Sequence, residues 1–518
     1  MLTGISVAWK ERSSEIKKQA EEITSLIGSR NDLLNRYGQI TKEKISVSAL
    51  LNLKEQFDLV EGGIGSAPKF PSTFCMNFLM QYYFFSKDES ALKQVCLSLD
   101  KMLMGGIYDQ LGGGFSRYST DEKWLLPHFE KMLYDNALLV HTYSEAFKLT
   151  GKKEYKRVIK ASTLMSLFVK ERTETGRIYL MNVDHCNEHS PWTERVTMTN
   201  LCVEVTHPTK PIQHIDDPEG EIGICVLSAI NLLEIKDDQD LQDTCDIIVR
   251  MLDELIDYQN YFTKAAENFT KKRRSLGIGI TNLAALLAKN NLKYTDTEAP
   301  NFVDSWMEKI QYYLTSSSVD LAIEKGACEK FNQTKYAYGI LPIDHYKKKI
   351  DSVITRKPTM DWEGLRKRIK QHGMRHSTLT ALMPCESSSV IQSSTNGIEP
   401  PKSFITYKGS KANSVPVLIP NYSSLKNKYT LQFDMSNNIG YLNIVAALQK
   451  WVDMSISANL YYNYNHYPNK ALPDALLIKE ILYAYSMGIK TLYYSNTYDG
   501  DKQSAGEDSS CASGACAI

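Results

Sequence analysis

The stretch Asn200-Leu201-Cys202-Val203-Glu204, followed downstream by Gly220-Glu221-Ile222-Gly223-Ile224-Cys225, decides how the larger part of this chain is read. In an extended segment successive side chains point to opposite faces. That geometry predicts Asn200, Cys202 and Glu204 on one face, with Leu201 and Val203 anchoring the other. An amide, a thiol and a carboxylate side by side are equipped to work on a polar substrate. The plain alternative is a buried structural cysteine beside a solvated glutamate. The company the stretch keeps, chiefly the last eight residues of the chain, favours chemistry.

Working outward, strands alternate with helices from Glu171-Arg172-Thr173-Glu174-Thr175-Gly176-Arg177-Ile178-Tyr179 onward. Residues 250–258 belong to an amphipathic helix with Ile248, Leu252 and Leu255 inward, and further helices are expected near 281–288, 301–324, 362–371, 441–459 and 474–487. Short β-rich runs at 377–383 and 490–494 lie between them. Such alternation predicts an α/β architecture with a mostly parallel sheet or barrel. From about 497 onward the chain is polar and rich in Gly and Ser, the composition of a mobile tail.

The first third reads as helices instead. Residues 13–27 place Ile16, Ala20, Ile23 and Ile27 at helical spacing, and 90–104 do the same with Leu92, Val95, Leu99, Met102 and Leu103 before Gly105-Gly106 stops the helix. A third helix over 129–149 turns at Thr150-Gly151-Lys152-Lys153 and re-enters at Glu154 as an αα-hairpin. Two glycine-rich loops lie between, Gly62-Gly63-Ile64-Gly65-Ser66-Ala67-Pro68-Lys69-Phe70-Pro71 and the run from Gly105 to Asp135. Neither follows a strand in a βαβ unit, which argues against a phosphate cradle. His128, Glu130 and Asp135 fit acid–base work in a cleft and fit helix-entry groups equally well.

Length and composition bound the rest. A chain of 518 residues has room for two to four domains. Lys+Arg and Asp+Glu are both 60, so no global field favours nucleic acid or an anionic membrane. No run approaches the roughly 20 apolar residues of a membrane span, and the N-terminus lacks the basic region of a signal peptide. The 10 cysteines are too dispersed for a secreted disulfide scaffold, which predicts a reducing, cytoplasmic setting. The expected domains are 1–164, 165–496 and a tail over 497–518.

The two glycine loops, with Trp124-Leu125-Leu126-Pro127-His128-Phe129-Glu130-Lys131-Met132-Leu133-Tyr134-Asp135, resemble the spermatogenesis-associated, thioredoxin-like-domain proteins over residues 5–160. The helical part of that family is a toroid of paired helices akin to N-acylglucosamine epimerases. Gln110 and Ser116 stand where the family usually shows His, and no catalytic residue is carried over. About two hairpins cannot close a toroid, so the resemblance implies open helices whose apolar faces need a partner.

The tail ends Ser509-Ser510-Cys511-Ala512-Ser513-Gly514-Ala515-Cys516-Ala517-Ile518. Two thiols on a small-residue terminal segment suit thiol–disulfide exchange. A metal knuckle is the rival, although no second Cys or His pair lies nearby at ligand spacing, and an accidental pair is the third reading.

With these motifs, Asn182-Val183-Asp184-His185-Cys186-Asn187, Arg274-Ser275-Leu276-Gly277-Ile278-Gly279, Ser377-Thr378-Leu379-Thr380-Ala381-Leu382-Met383-Pro384, Thr395-Asn396-Gly397-Ile398-Glu399-Pro400-Pro401, Ser455-Ile456-Ser457-Ala458-Asn459 and Thr491-Leu492-Tyr493-Tyr494 follow in order. Residues 169–518 resemble the C-terminal half of the large, catalytic subunit of class I ribonucleotide reductase. The resemblance implies that Cys202 is the thiyl radical that abstracts the 3′ hydrogen of a ribonucleotide, that Glu204 takes the 3′-hydroxyl proton and that Asn200 binds the substrate. It implies Cys225 as one half of the reducing dithiol, and Cys511 and Cys516 as the pair that regenerates it and is itself reduced by thioredoxin or glutaredoxin. It implies further that Tyr493 and Tyr494 relay the radical from a metal-containing small subunit. Pro384, Glu386, Ser387, Ser388 and Ser389 read as a helix N-terminus, expected to bind the substrate diphosphate. Gly277 and Gly279 are read as tight packing, since no third glycine follows at dinucleotide spacing.

The fold expected is therefore multidomain: N-terminal all-α helical hairpins, a partial α/α toroid, then a partial ten-stranded α/β reductase barrel with a flexible tail. The function expected is that of a ribonucleoside-diphosphate reductase catalytic fragment, with no metal or cofactor bound by this chain and the ATP and dNTP effector sites absent. The family's N-terminal half, which supplies the partner of Cys225, is not represented, so activity calls for a polypeptide supplying that half. Of the cysteines before Cys202, Cys75, Cys96 and Cys186, none matches that partner by motif. Half a barrel also leaves edge strands uncovered. Two readings stand beside this one: a helical binding or scaffold protein, and a chimeric gene product without joint function.

Overall fold

The computed structural model describes residues 13, 17–18, 21, 42–110, 113–158, 161–215, 217–410 and 413–498, which divide into two units, Met1–Leu167 and Phe168–Ile518. The first unit holds the helices Lys42–Lys54, Thr73–Ser86, Glu89–Met104 and Leu133–Thr150, then a 3-10 turn over Lys153–Arg157. Local chemistry sets these ends. The Asp88 side chain accepts the Ser90 N–H at the start of one helix, and Gly151 ends another at φ 70°. Most of the helix expected over 13–27 lies outside the described residues.

The helix expected from 129 begins only at Leu133. The stretch before it pairs across the loop instead: Arg117 N–H donates to Glu130 O (2.8 Å), His128 N–H to Tyr118 O (2.9 Å) and Thr120 N–H to Leu126 O (2.8 Å). His128 and Glu130 thus precede the helix, and only Asp135 lies in its first turn. The core of this unit gathers Val95, Leu99, Met102, Phe115, Trp124, Leu139 and Tyr143. Lys69 is buried against it, donating from Nζ to Asp58 Oδ2 (2.5 Å) and to the carbonyls of Gly62 and Glu122 (both 2.8 Å). One buried cation thereby joins both glycine loops.

Gly106 shows why the second loop needs its glycines. A Cβ there would stand 2.2 Å from the Leu125 carbonyl oxygen, so the backbone at 125 would have to shift. Gly106→Ala is expected to cost about 1–3 kcal/mol, an overpacking penalty, read as a lower urea midpoint for loss of helical circular dichroism.

The second unit is built on five parallel segments. Leu227–Asn231 pairs in parallel with Gly277–Thr281, which continues through the bridge Ile278–Thr380, then Leu382–Ile456, and finally the pairing of Leu460–Asn463 with Ser495–Tyr498. Leu180–Met181 adds an antiparallel partner to Thr491–Leu492. Helices connect successive segments, among them Asp238–Tyr258, Ala299–Lys325, Ile439–Gln449 and Asp474–Ser486, as parallel pairing requires. The first two segments can pack closely because Gly277 has no side chain: a Cβ would meet Leu227 Cδ2 at 2.6 Å. Among the described residues the array is open and no closed barrel forms.

Several expectations change in detail. The helix expected over 441–459 ends at Gln449, because residues 454–457 join the parallel array. On the helix Asp238–Tyr258 the inward residues are Leu241, Cys245, Val249, Leu252 and Ile256, whereas Leu255 is 43% exposed. Residues 497–498, assigned to the tail, lie in a strand. Among the described residues no helix is long and apolar enough to cross a membrane, no group of His, Cys, Asp and Glu is placed to hold a metal ion, and the cysteines are free thiols.

Candidate functional site

The loop carrying Cys202 is a tight turn, not the extended segment that alternation predicted. Val203 N–H donates to Asn200 O and Asn200 N–H to Val205 O, each at 3.2 Å. Val203 adopts φ 64°, a left-handed conformation that is strained for a β-branched residue. The turn exposes Leu201 (57%) rather than anchoring it, while Val203 is buried. Asn200, Cys202 and Glu204 are still brought together, by the reversal of the chain.

Glu204 is 2% exposed, yet both carboxylate oxygens are partnered. Asn200 Nδ2 donates to Oε1 at 2.8 Å and Ser457 Oγ to Oε2 at 3.0 Å. Burial outweighs these bonds and raises the carboxyl above its ordinary range. Asn200 Oδ1 also accepts the Val205 N–H (3.0 Å), and Ser455 N–H donates to Glu204 O (2.8 Å), fixing the loop to the parallel array. The single Ser457 hydroxyl proton is shared with the Cys202 carbonyl, whose oxygen lies 2.5 Å from Oγ.

Cys202 is half-buried, and the Tyr493 hydroxyl donates to its Sγ at 3.4 Å. The rings of Tyr493 and Tyr494 lie 4.1 Å apart, and Tyr179 packs on both at 4.6 and 5.3 Å. Burial first, then the bond to Cys202, raises the Tyr493 phenol well above its usual value. A neutral phenol bonded to a thiol offers a path for a hydrogen atom, since proton and electron can leave together.

Cys225 is an exposed free thiol. Surrounding protein first, then the charges of Glu204 and Cys202, push its thiol up to about 11. Burial, then Glu399, Glu386 and Glu204, push the thiol of Cys385 up to about 12. The helix that follows, Glu386–Ile391, is short; Ser387 and Ser388 are exposed at its start, Pro384 is half-buried and Ser389 is buried. Asn396 ties the turn down, donating to Glu386 Oε1 at 2.9 Å and accepting the Cys385 N–H at 2.6 Å. Cys511 and Cys516 lie outside the described residues.

Four neighbours were not singled out as site residues from sequence: Ser457, Glu399, Asn459 and Tyr179. Three of them sit in motifs quoted above, and each is a common residue in an otherwise apolar or loop setting. Asn459 Nδ2 donates to Glu399 Oε1 at 2.6 Å, and its Oδ1 accepts the Tyr494 N–H at 3.0 Å.

The family model described as "Ribonucleotide reductase, barrel domain" matches residues 113–495. The chain belongs to the ribonucleotide reductase family. It is 48% identical over 374 residues to a "Ribonucleoside-diphosphate reductase subunit alpha" of Buchnera aphidicola subsp. Schizaphis graminum, covering 70% of this chain and 49% of that protein. The protein of the same name in Haemophilus influenzae is 48% identical over 367 residues, and "Ribonucleoside-diphosphate reductase 1 subunit alpha" of Escherichia coli 46% over 372. The chain spans about half the length of these reductase relatives, 49%, 48% and 49% respectively. The reductase match begins at 113, inside the first unit, and not near 169 as the motifs implied. It does not bear on residues 1–112, where the resemblance to the spermatogenesis-associated family rests on motifs alone.

Proposed function

We propose that this chain carries the catalytic half-site of a ribonucleoside-diphosphate reductase, and that the hydrogen bond from Tyr493 to Cys202 beside the buried Glu204 is the observation that carries the reading. Cys202, as a thiyl radical, removes the 3′ hydrogen atom of the bound ribonucleotide. Glu204, whose carboxyl is raised by burial, accepts the 3′-hydroxyl proton, and Asn200 holds both the carboxylate and the substrate. The 2′ oxygen leaves as water, with two electrons supplied by a dithiol of which Cys225 is one member. Tyr494 and Tyr493 pass the hole from a small subunit to Cys202. The substrate diphosphate lies against the N–H groups of Ser387 and Ser388, flanked by Pro384, Glu386 and Ser389. Cys511 and Cys516 return the dithiol to its reduced form, with thioredoxin or glutaredoxin as the outside reductant.

The open array leaves Cys202 half-buried and Cys225 exposed, so water reaches a site whose radical needs exclusion. The 518-residue polypeptide on its own is therefore expected to give no turnover of ribonucleoside diphosphates. Adding a polypeptide that carries the rest of the family's length, with the small subunit and thioredoxin, is expected to restore deoxynucleotide formation, followed by chromatography of the nucleoside products. Turnover by this polypeptide with only the small subunit and thioredoxin would show that the open face is no obstacle, and no turnover after full complementation would refute the proposal.

A further inference from the structure

Tyr493 and Tyr494 sit in the gap between two short strands, Thr491–Leu492 and Ser495–Tyr498. Main-chain groups outside a regular ladder must find partners elsewhere. Two of the pair's four do so on main chain: Tyr493 N–H donates to Ala458 O (2.7 Å) and Tyr494 O accepts from Leu460 N–H (2.9 Å). The other two are met by side chains. Arg172 Nη1 donates to the Tyr493 carbonyl at 3.1 Å, and Asn459 Oδ1 accepts the Tyr494 N–H at 3.0 Å.

Arg172 is an expensive way to satisfy a carbonyl. It is fully buried, and its Nε and Nη2 have no hydrogen-bond partner among the described residues. Burial lowers its guanidinium to about 10, and the nearby Tyr462 and Tyr179 phenols offset that only in part. A buried, incompletely paired cation costs stability, so its presence asks for another reason. Arg172 also donates to the carbonyl of Ile178, next to Tyr179, and so holds the main chain on both sides of the three-ring cluster. The same segment is clamped again where Ser495 N–H donates to Gly176 O at 3.0 Å.

The structure assigns Arg172 and Asn459 as positioning residues that lock the main chain of the tyrosine pair, so that the Tyr493 hydroxyl meets the Cys202 sulfur. This rests on the reading of Tyr493 as the immediate partner of Cys202. Asn459 is itself oriented by Glu399, which makes the clamp on Tyr494 a two-residue device.

The test reads the thiol and needs no turnover. In the full chain, iodoacetamide labelling of Cys202 is followed against pH by peptide mass spectrometry; the midpoint reports the thiol and the plateau reports access. A donor to sulfur favours the thiolate, so Tyr493→Phe is expected to raise the midpoint by about one pH unit. Arg172→Met and Asn459→Ala are expected to raise it in the same direction, and Arg172→Met with Tyr493→Phe no further than Tyr493→Phe alone. Arg172→Lys, which keeps the charge and a donor, should stay near the wild-type midpoint. If Arg172→Met does not fold, Asn459→Ala and Arg172→Lys decide. Additive shifts in the double variant, a wild-type midpoint in the positioning variants, or a shift in Arg172→Lys as large as in Tyr493→Phe would overturn the assignment. A wild-type midpoint in Tyr493→Phe itself would overturn the Tyr493–Cys202 reading beneath it.

Discussion

Asp253→Ala is expected to destabilise the second unit by about 3–5 kcal/mol, the cost of removing one partner from a buried ionic cluster. Asp253 lies on the inner face of the helix Asp238–Tyr258 and is fully buried. Its Oδ1 accepts from Arg274 Nε (2.6 Å) and Arg375 Nε (3.0 Å), with His376 Nε2 3.2 Å away, and Lys325 Nζ lies 3.2 Å from Oδ2. Without the carboxylate the Arg274, Arg375 and Lys325 cations lose the counter-charge they share. Arg274 keeps Asp257, at 2.8 and 3.0 Å, which is why the loss is bounded. Lys325 is 35% exposed in its side chain, so its share is small. Urea unfolding followed by far-ultraviolet circular dichroism measures the change, and a loss below about 1 kcal/mol would count against the cluster as a stabilising unit.

The same carboxylate fixes a pH dependence. Burial alone would raise its pKa, but His376, Arg274 and Arg375 outweigh that and hold it well below the ordinary carboxylate range. A depressed folded-state value means that the unfolded chain binds the proton more readily. The stabilisation is then fully present above the usual carboxylate range and is lost as pH falls through it toward the folded value. The Asp253→Asn variant should show a flatter loss of stability in acid than the wild type.

How much of this was legible in the sequence depends on whether a local signal existed. The helix starts near 90 and 362 were legible, and Asp88 and Asp361 cap them, whereas the helix capped by Asp237 was read only from 250 and the one capped by Thr263 was not read. The run after Gln449 was not, because Trp451-Val452-Asp453-Met454 is buried throughout and an apolar run buried on every side has no period to distinguish strand from helix. Partners decided it, since Met454 N–H donates to Thr380 O at 3.1 Å. The turn at Val203 was hidden for a different reason: no glycine or asparagine occupies the position of positive φ. Asn200, Cys202 and Glu204 were recognisable as a motif even though the geometry that unites them was misread. The contacts that give Arg172 and Ser457 their place at the site were not legible locally, since Tyr493 and Glu204 lie hundreds of residues away in the chain.

In the complemented reaction, Cys202→Ser is expected to abolish deoxynucleotide formation, and Glu204→Gln to reduce it by about 10²–10⁴-fold. The serine O–H bond is much stronger than a thiol S–H bond, so hydrogen transfer from that position to the Tyr493 phenoxyl is strongly uphill. The Cys202→Ser chain should keep the fold, since the contact that holds the loop there is made by the Cys202 main chain with Ser457. Glutamine at 204 preserves shape but cannot accept the 3′-hydroxyl proton, and its amide nitrogen would confront one of the donors, Asn200 Nδ2 or Ser457 Oγ. In the proposed role the carboxylate is the working form, and burial raises its pKa, so the wild-type rate should rise with pH through a value above the ordinary carboxylate range. Glu204→Gln should lose that acid limb while keeping any fall at high pH. An unchanged acid limb in Glu204→Gln would move the proton acceptor to another group, and residual turnover in Cys202→Ser would remove the sulfur from the hydrogen-abstraction step.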